Sequence, residues 1–173
     1  MEPTTGIGID LGGTKAAGAL FDRQGRVLLQ EQRPLEGRSG EAVGRLLLEL
    51  IRKLIDGGRQ SERTVSAVGI GVPGIYHRAR GTVWAPNIPR WEDFPLYDFL
   101  AEALESEALT IRIDSDRACY ILGEAWQGAA AGCRDAIFLA VGTGIGAGIL
   151  VERWLFLAEA KHVVTLYYGA DAV

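Results

Sequence analysis

The turn Gly12-Gly13-Thr14-Lys15, which closely follows Asp10, has the composition of a site that binds phosphate groups. Small residues let backbone N–H groups point at an anion, and the Lys15 ammonium can add a positive charge. The turn is not a Walker A loop, because that motif needs Gly-Lys-Ser/Thr in succession and a following helix. A carboxylate at the end of an apolar strand is costly without a partner, so Asp10 is a candidate to hold Mg²⁺ through water. The alternative is a plain hairpin turn in which Asp10 accepts hydrogen bonds from backbone donors.

A second turn, Gly142-Thr143-Gly144, is also suited to phosphate. With Ala147 it satisfies the dinucleotide pattern G-x-G-x-x-A, but that pattern has meaning only where a helix follows. Residues 145–151 are instead predicted to form a strand, so we reject a Rossmann site. We expect the two turns to face each other across a cleft, so that their amides share one triphosphate.

The segment Asp114-Ser115-Asp116 lies between a predicted strand and a predicted helix. Asp and Ser at a helix start are common N-cap residues, which is the ordinary explanation. The functional alternative is that Asp116 is a general base, since a carboxyl with a reference pKa of about 3.9 is ionised at neutral pH. Phosphoryl transfer requires little beyond positioning, Mg²⁺ and such a base.

The loop that begins at Gly74 supplies groups that could bind a sugar. Asn87 offers both a donor and an acceptor for a sugar hydroxyl. Trp91 could stack on a sugar ring or pin the loop, and we favour the second role. His77 is expected to be a solvated loop residue.

Apolar spacing predicts an α/β chain. The clearest helix covers residues 40–55, with apolar side chains at intervals of three and four, and Gly57-Gly58 is expected to end it. Residues 75–95 are expected to form a long loop with room for a small hairpin. The remaining helices are predicted over 97–104 and 116–129, the latter with Ile121, Leu122, Ala125 and Trp126 inward. Strands are predicted over 6–11, 16–21, 26–32, 65–72, 109–113, 136–141 and 145–151.

The sequence contains one internal repeat. Residues 7–20 (IGIDLGGTKAAGAL) and 137–150 (IFLAVGTGIGAGIL) align without a gap, and each is predicted to be a strand, a small-residue turn and a strand. The repeat suggests one architecture used twice. The alternative is that any two glycine-rich hairpins look alike.

Composition argues against several classes of partner. The net charge of −4 offers no basic patch for nucleic acid or for an anionic membrane, so neither is expected as a partner. Cys119 and Cys133 are too few for a disulfide framework or a zinc site, and residues after Met1 show no signal peptide. We therefore expect a cytoplasmic location.

In four places the sequence resembles the ROK family (repressors, open reading frames, kinases), most closely its bacterial glucokinase branch. The matching motifs are IGIDLGGTK at 7–15, GIGVPG at 69–74, PNIPRWEDFPL at 86–96, and DSDRACYILGEAWQGA leading into LAVGTGIGAGIL between 114 and 150. The resemblance covers about residues 6–151. It implies an α/β fold, an actin-like ATPase (ribonuclease H-like) βββαβα domain followed by the start of a second, truncated copy.

The resemblance also implies roles for individual residues. The turns at 12–15 and 142–144 would hold the phosphates of ATP, with Asp10 near Mg²⁺. Asp116 matches the catalytic base of the family, and Asn87 and Gly74 match its sugar-binding loop. Ser115 stands where the family usually has Asn, so one hydrogen bond to the sugar is expected to be shortened or lost.

The match weakens toward residue 173. The family continues with Gly-Glu-x-Gly-His, and residues 158–162 keep Glu159 and His162 at that spacing while replacing both glycines. These two residues are candidates to reach the sugar, beside the alternative of coincidence in a divergent tail. In many members the His ligates zinc with three later cysteines, which are absent from this sequence, so no zinc site is expected.

The expected organisation is an actin-like domain over 1–115, a linking helix and first hairpin over 116–151, and a divergent tail over 152–173. An incomplete second sheet would leave an apolar face uncovered, unless residues 163–168 add a third strand. We therefore predict a homodimer. The expected function is an ATP-dependent hexose kinase, with glucose favoured. The alternatives are an inactive fragment and a sugar- or nucleotide-sensing regulator without a DNA-binding segment, since the first strand begins close to Met1.

Overall fold

The computed structural model describes residues 4–141, 145–152 and 154–160. The chain divides into two compact units, residues 1–116 and residues 117–173. The three-part division expected from the sequence stays a prediction.

The first unit is built on a five-stranded mixed sheet with strand order β3-β2-β1-β4-β7. Strands β1 to β3 form an antiparallel meander, whereas β4 and β7 run parallel to β1. A short hairpin, β5–β6, and a 3₁₀ turn over Glu105–Glu107 complete the unit. Its strands and helices are β1 Thr4–Leu11, β2 Lys15–Phe21, β3 Val27–Pro34, α1 Glu41–Gln60, β4 Thr64–Val72, β5 Ile75–His77, β6 Thr82–Trp84, α2 Leu96–Ala103 and β7 Thr110–Ser115.

Helix α1 covers one face of this sheet. Its apolar residues recur every three or four positions, so one side is buried against the sheet. Alternate residues of β1 meet it, and Ile7, Ile9 and Leu11 are buried. The opposite face of β1 carries Gly6, Gly8 and Asp10.

The prediction that Gly57-Gly58 ends helix α1 is wrong, because the helix continues to Gln60. Both glycines serve close packing instead. A Cβ added to Gly58 would lie 3.2 Å from Val65 Cγ2, and one added to Gly57 would overlap the Leu29 side chain. Burial against the sheet therefore outweighs the low helix propensity of glycine.

The second unit pairs helix α3 (Asp116–Gln127) with a three-stranded antiparallel sheet of order β10-β9-β8. The strands are β8 Ala136–Val141, β9 Ile145–Val151 and β10 Trp154–Ala160. Residues 154–160 thus supply the third strand that was expected from 163–168, a segment outside the described residues.

Helix α3 buries less than its apolar pattern predicts. Ala118 and Ile121 are buried, but Leu122 and Trp126 are exposed, so the expectation that both point inward is wrong. The reason is geometric: only a narrow stripe of the helix contacts β8 and β9, as in the Tyr120–Phe138 ring pair with centroids 5.3 Å apart.

Candidate functional site

The candidate residues of the first unit meet at one edge of the sheet. Strands β1, β4 and β7 are parallel, so their carboxyl ends lie at the same edge, where ligands bind in open α/β sheets. Asp10 pairs with Gly71, which pairs with Asp114, so both carboxylates share one face of the sheet. With strands about 4.8 Å apart, the two Cα atoms lie roughly 10 Å from each other. The Asp10 side chain is exposed, so the expected cost of burying it among apolar residues does not arise.

The β1–β2 turn exposes two backbone amides at this edge. The Gly12 N–H is taken up within the turn, where it donates to the Lys15 carbonyl oxygen at 2.8 Å. Gly13 and Thr14 are exposed, and within the described residues their N–H groups are the ones left to face a ligand. The Lys15 ammonium lies 3.4 Å from Gln32 Oε1 on the neighbouring strand β3.

The turn packs closely against the loop that carries Asn87. A Cβ added to Gly13 would lie 3.3 Å from Asn87 Cβ, a tight contact, so glycine eases the close approach of the two segments. Asn87 itself is exposed. The structure therefore brings the predicted phosphate turn and the predicted sugar-binding residue together.

Trp91 holds this loop in place. Its ring is fully buried, stacks on Phe94 with centroids 4.7 Å apart, and its Nε1–H donates to the Gly40 carbonyl oxygen at 2.9 Å. In return, the Gly40 N–H donates to the Pro89 carbonyl oxygen at 2.9 Å. The interpretation of Trp91 as a pin is confirmed, because a buried ring cannot stack on a ligand.

Strand β7 delivers the predicted general base. Ser115 is buried at the end of the strand, and the half-buried Asp116 begins helix α3 directly after it. The Ser115 N–H donates to Asp114 Oδ1 at 2.9 Å, and Asp114 Oδ2 lies 3.4 Å from Arg78 Nη2. Asp114 thus fixes the strand-to-helix junction, where the sequence had placed it, but its ion pair with Arg78 was not predicted.

Gly74 begins the loop that is predicted to bind sugar, and it is buried against β6. Its N–H donates to the Val72 carbonyl oxygen at 2.9 Å, and an added Cβ would overlap the Trp84 carbonyl oxygen. Only glycine fits at this position, so its role in the structure is to let the loop leave β4 beside the β5–β6 hairpin.

The β3–α1 loop adds a feature that sequence reasoning also missed. The Leu35 N–H donates to the Thr14 carbonyl oxygen at 2.8 Å, which ties this loop to the glycine turn. A cavity of about 260 Å³ lies between them and is lined by Gly13, Thr14 and Arg38, among others. The sequence did carry a sign of this feature, because Gly37-Arg38 lies in the loop that follows strand β3.

Several candidate residues cannot be placed at this edge. Gly142, Thr143, Gly144 and His162 lie outside the described residues. Glu159 lies in β10. The expected pairing of the two glycine turns across a cleft therefore stays a prediction.

The fold and the arrangement of these strand ends are those of sugar kinases with an actin-like ATPase fold. A ROK family glucokinase from Streptomyces griseus, solved in complex with glucose and AMPPNP, matches 88% of this chain with a TM-score of 0.70 and 31% identity. The match covers 46% of that chain. The predicted fold class is therefore confirmed.

The chain belongs to the ROK family, which matches residues 6–157. A xylose repressor from Caldicellulosiruptor bescii is 36% identical over 89% of this chain and 38% of its own length. A glucokinase from Thermotoga maritima is 35% identical over 91% of this chain and 50% of its own length. The chain thus spans half or less of the length of these two relatives, which include both a kinase and a repressor.

Proposed function

We propose that this chain is the nucleotide- and sugar-binding part of an ATP-dependent hexose kinase, with glucose as the favoured acceptor. The observation that carries the proposal is the convergence at one sheet edge of three elements. These are the exposed residues Gly13 and Thr14 of the 12–15 turn, Asn87 packed beside Gly13, and Asp116 directly after β7. The 31%-identical glucokinase solved with glucose and AMPPNP supports both ligands.

In the proposed mechanism, Asp116 accepts the proton of the attacking sugar hydroxyl. Its position at the start of helix α3, directly after strand β7, sets the location of the carboxylate. Asn87 orients the sugar by hydrogen bonds to a hydroxyl, and Gly74 lets the loop approach it. Ser115 and, in the second unit, Glu159 and His162 are proposed to complete the sugar site.

The phosphate side of the site rests on the 12–15 turn, with the turn at 142–144 proposed as its counterpart. Mg²⁺ bound mainly by phosphate oxygens and water needs only one or two protein carboxylates, and the exposed Asp10 fits that role. The ion would neutralise charge on the transferred phosphoryl group. No group of three or more His, Cys, Asp or Glu in the described residues is arranged to hold a metal ion.

Replacing the proposed base tests the assignment. We expect Asp116→Asn to lower sugar-dependent ADP release by about 100-fold or more, because general-base catalysis contributes roughly 10²–10⁴-fold. The matched control is Asp56→Asn on helix α1, an exposed carboxylate paired with Arg59. Full sugar-dependent ADP release by Asp116→Asn would contradict the role of this residue.

A second candidate function is ligand sensing without turnover, because one relative, 36% identical, is a xylose repressor. Calorimetry with ATP and with glucose, combined with the ADP assay, separates the two functions. Binding of sugar without ADP release supports a sensor or an inactive fragment, whereas turnover supports the kinase.

We further propose that the chain forms a homodimer in the cytoplasm. The outer face of β8 exposes Ile137, Leu139 and Val141, an apolar row that a second copy could cover. Light scattering at micromolar concentration tests this, and a monomer would contradict it. Cys119 and Cys133 are not joined in a disulfide, which fits a reducing compartment. None of the helices in the described residues is long and apolar enough to cross a membrane.

A further inference from the structure

The cavity beside the glycine turn is bordered by an arginine and a glutamate. It lies between the β1–β2 turn and the β3–α1 loop, has a volume of about 260 Å³, and is lined by seven residues, which include Gly13, Thr14, Glu36 and Arg38. This volume accommodates several water-sized groups and therefore a phosphate group. The exposed amides of residues 13 and 14 and the Arg38 side chain thus border the same space.

The position of Arg38 is tightly coupled to the turn. Thr14 accepts the Leu35 N–H at 2.8 Å, and the Leu35 carbonyl oxygen accepts the Arg38 N–H at 2.9 Å. Between them, Glu36 and Gly37 both have left-handed backbone, with φ of 51° and 74°. A left-handed Glu is uncommon and strained, and such strain is often found at ligand-binding loops.

The Arg38 guanidinium has hydrogens to offer a ligand. Within the described residues its contacts all use Nη1: the Glu36 carboxylate at 2.9 Å, the Leu35 carbonyl oxygen at 3.1 Å and the Pro34 carbonyl oxygen at 3.4 Å. Nη2 and Nε are therefore available. The pair with Glu36 is weak and easily exchanged, because the Arg38 side chain is 40% exposed and that of Glu36 is 63% exposed.

We propose that Arg38 is a phosphate-binding residue of the donor site. It exchanges the Glu36 carboxylate for phosphate oxygens of a nucleotide held at the Gly13 and Thr14 amides. Arginine suits this role, since its planar fork binds phosphate through two parallel hydrogen bonds and keeps its charge. The proposal rests on the proposed function and adds a residue to the phosphate side of that site.

Calorimetry with two probes, Mg-ATP and inorganic tripolyphosphate, tests the proposal on the whole 173-residue chain. We expect Arg38→Ala to weaken binding of both probes about tenfold or more, because a hydrogen bond between charged groups is lost. Arg38→Lys keeps the charge but loses the fork, so its affinity should lie between those of Arg38→Ala and the wild type. Glu36→Gln removes the competing anion and should tighten binding about twofold.

The matched control is Arg45→Ala. Arg45 also pairs with an exposed glutamate, Glu41, at 3.0 Å, but it does not line the cavity. The control should bind both probes like the wild type, and unchanged circular dichroism spectra should show that every variant is folded.

The outcomes separate the two proposals. If Arg38→Ala binds both probes as tightly as Arg45→Ala, the assignment of Arg38 is wrong and the proposed function is unaffected. Arg38-dependent binding of tripolyphosphate without binding of ATP supports Arg38 and contradicts a nucleotide donor. If the wild type binds neither probe, both proposals are wrong.

Discussion

The β1–β2 and β8–β9 hairpins occupy equivalent positions of the internal repeat. Strand β1 ends at Leu11 and β2 begins at Lys15, and 130 residues later β8 ends at Val141 and β9 begins at Ile145. Their registers nevertheless differ. Leu11 pairs with Ala16, whereas Val141 pairs with Ile145, so the second hairpin is shifted by one residue.

This shift changes which residues meet the covering helix. In the first hairpin Ile9 pairs with Gly18, and both face α1. In the second, Gly148, the equivalent of Gly18, pairs with Phe138 and faces α3. Leu139, the equivalent of Ile9, therefore points to the other face and is 48% exposed, while Ile9 is 4% exposed.

The difference shows how a one-residue change of register exchanges the faces of a strand. Side chains alternate along a strand, so a shift of one position moves the whole apolar row to the opposite face. The row formed by Ile137, Leu139 and Val141 in β8 is as apolar as its counterpart in β1, yet Ile137 is 70% exposed. The pattern of a strand alone thus does not determine its burial.

The largest expected effect on stability comes from truncating the equivalent apolar residues Ile9 and Leu139. Ile9→Ala should lower the free energy of unfolding by about 2–5 kcal/mol, because it opens a cavity in the core. At concentrations where the chain is monomeric, Leu139→Ala should lower it by less than about 1 kcal/mol, since the side chain is half exposed in the single chain. Urea unfolding followed by circular dichroism measures both. Equal losses would show that the outer face of β8 is covered in solution.

A smaller effect is expected from adding a methyl group to the equivalent glycines. A Cβ on Gly148 would lie 2.7 Å from the Arg117 carbonyl oxygen, whereas one on Gly18 would lie 2.8 Å from side-chain carbons of Ile9 and Leu54. Both Gly→Ala variants should be destabilised by about 1–3 kcal/mol, as overpacked sites are. Gly148→Ala should lose more, because backbone yields less than a side chain. Urea unfolding of the two variants measures both losses of stability. If Gly148→Ala were as stable as the wild type, the close contact of Gly148 with α3 would be contradicted.

The smallest expected effect on stability comes from the turns that follow the two hairpins, at Asp22 after β2 and at Glu152 after β9. Burial raises the pKa of the Asp22 carboxyl, but hydrogen bonds from the Arg26 backbone and side chain and from the Gln24 N–H outweigh it and leave the pKa below 3.8. A lowered pKa stabilises the fold above pH 3.8, and this contribution is lost as the pH falls through the lowered value. Asp22→Asn should therefore unfold at lower urea concentration than the wild type at pH 7, and the difference should shrink below pH 3.8.

The equivalent residue in the second unit supplies the control. Glu152 has a left-handed backbone, and its exposed carboxylate lies 3.2 Å from Arg134. Exposed pairs contribute little, so Glu152→Gln should shift the urea midpoint at pH 7 less than Asp22→Asn does. A larger shift for Glu152→Gln would show that the second turn is the better organised of the two.

Much of the fold could be predicted from local pattern. Periodicity located the helices and the longer strands as far as β9 to within a few positions, and the family motifs indicated the actin-like fold. Strand β10 was not predicted. The errors arose where packing overrides pattern. Gly57-Gly58 lies within α1 because the helix packs closely on β3 and β4, and Trp126 is exposed because its helix contacts the sheet along one stripe.

The candidate site was likewise predicted only in part. Asn87 and the glycine turn were found from residue type and motif, and the structure places Asn87 against Gly13. Arg38 was missed, because it belongs to no recognisable motif. Its position depends on hydrogen bonds that join segments distant in the sequence, such as Leu35 to Thr14.

The sequence by itself determined the order of strands and helices, the family, and the residue types gathered at the sheet edge, because propensity, apolar period and turn chemistry are local. Tertiary structure alone decided which face of β8 is covered, that Trp91 is a buried pin, and that Arg38 borders the glycine turn. These features depend on strand register and on contacts between distant segments. Register is a property of two paired strands together, and no local pattern in either strand specifies it.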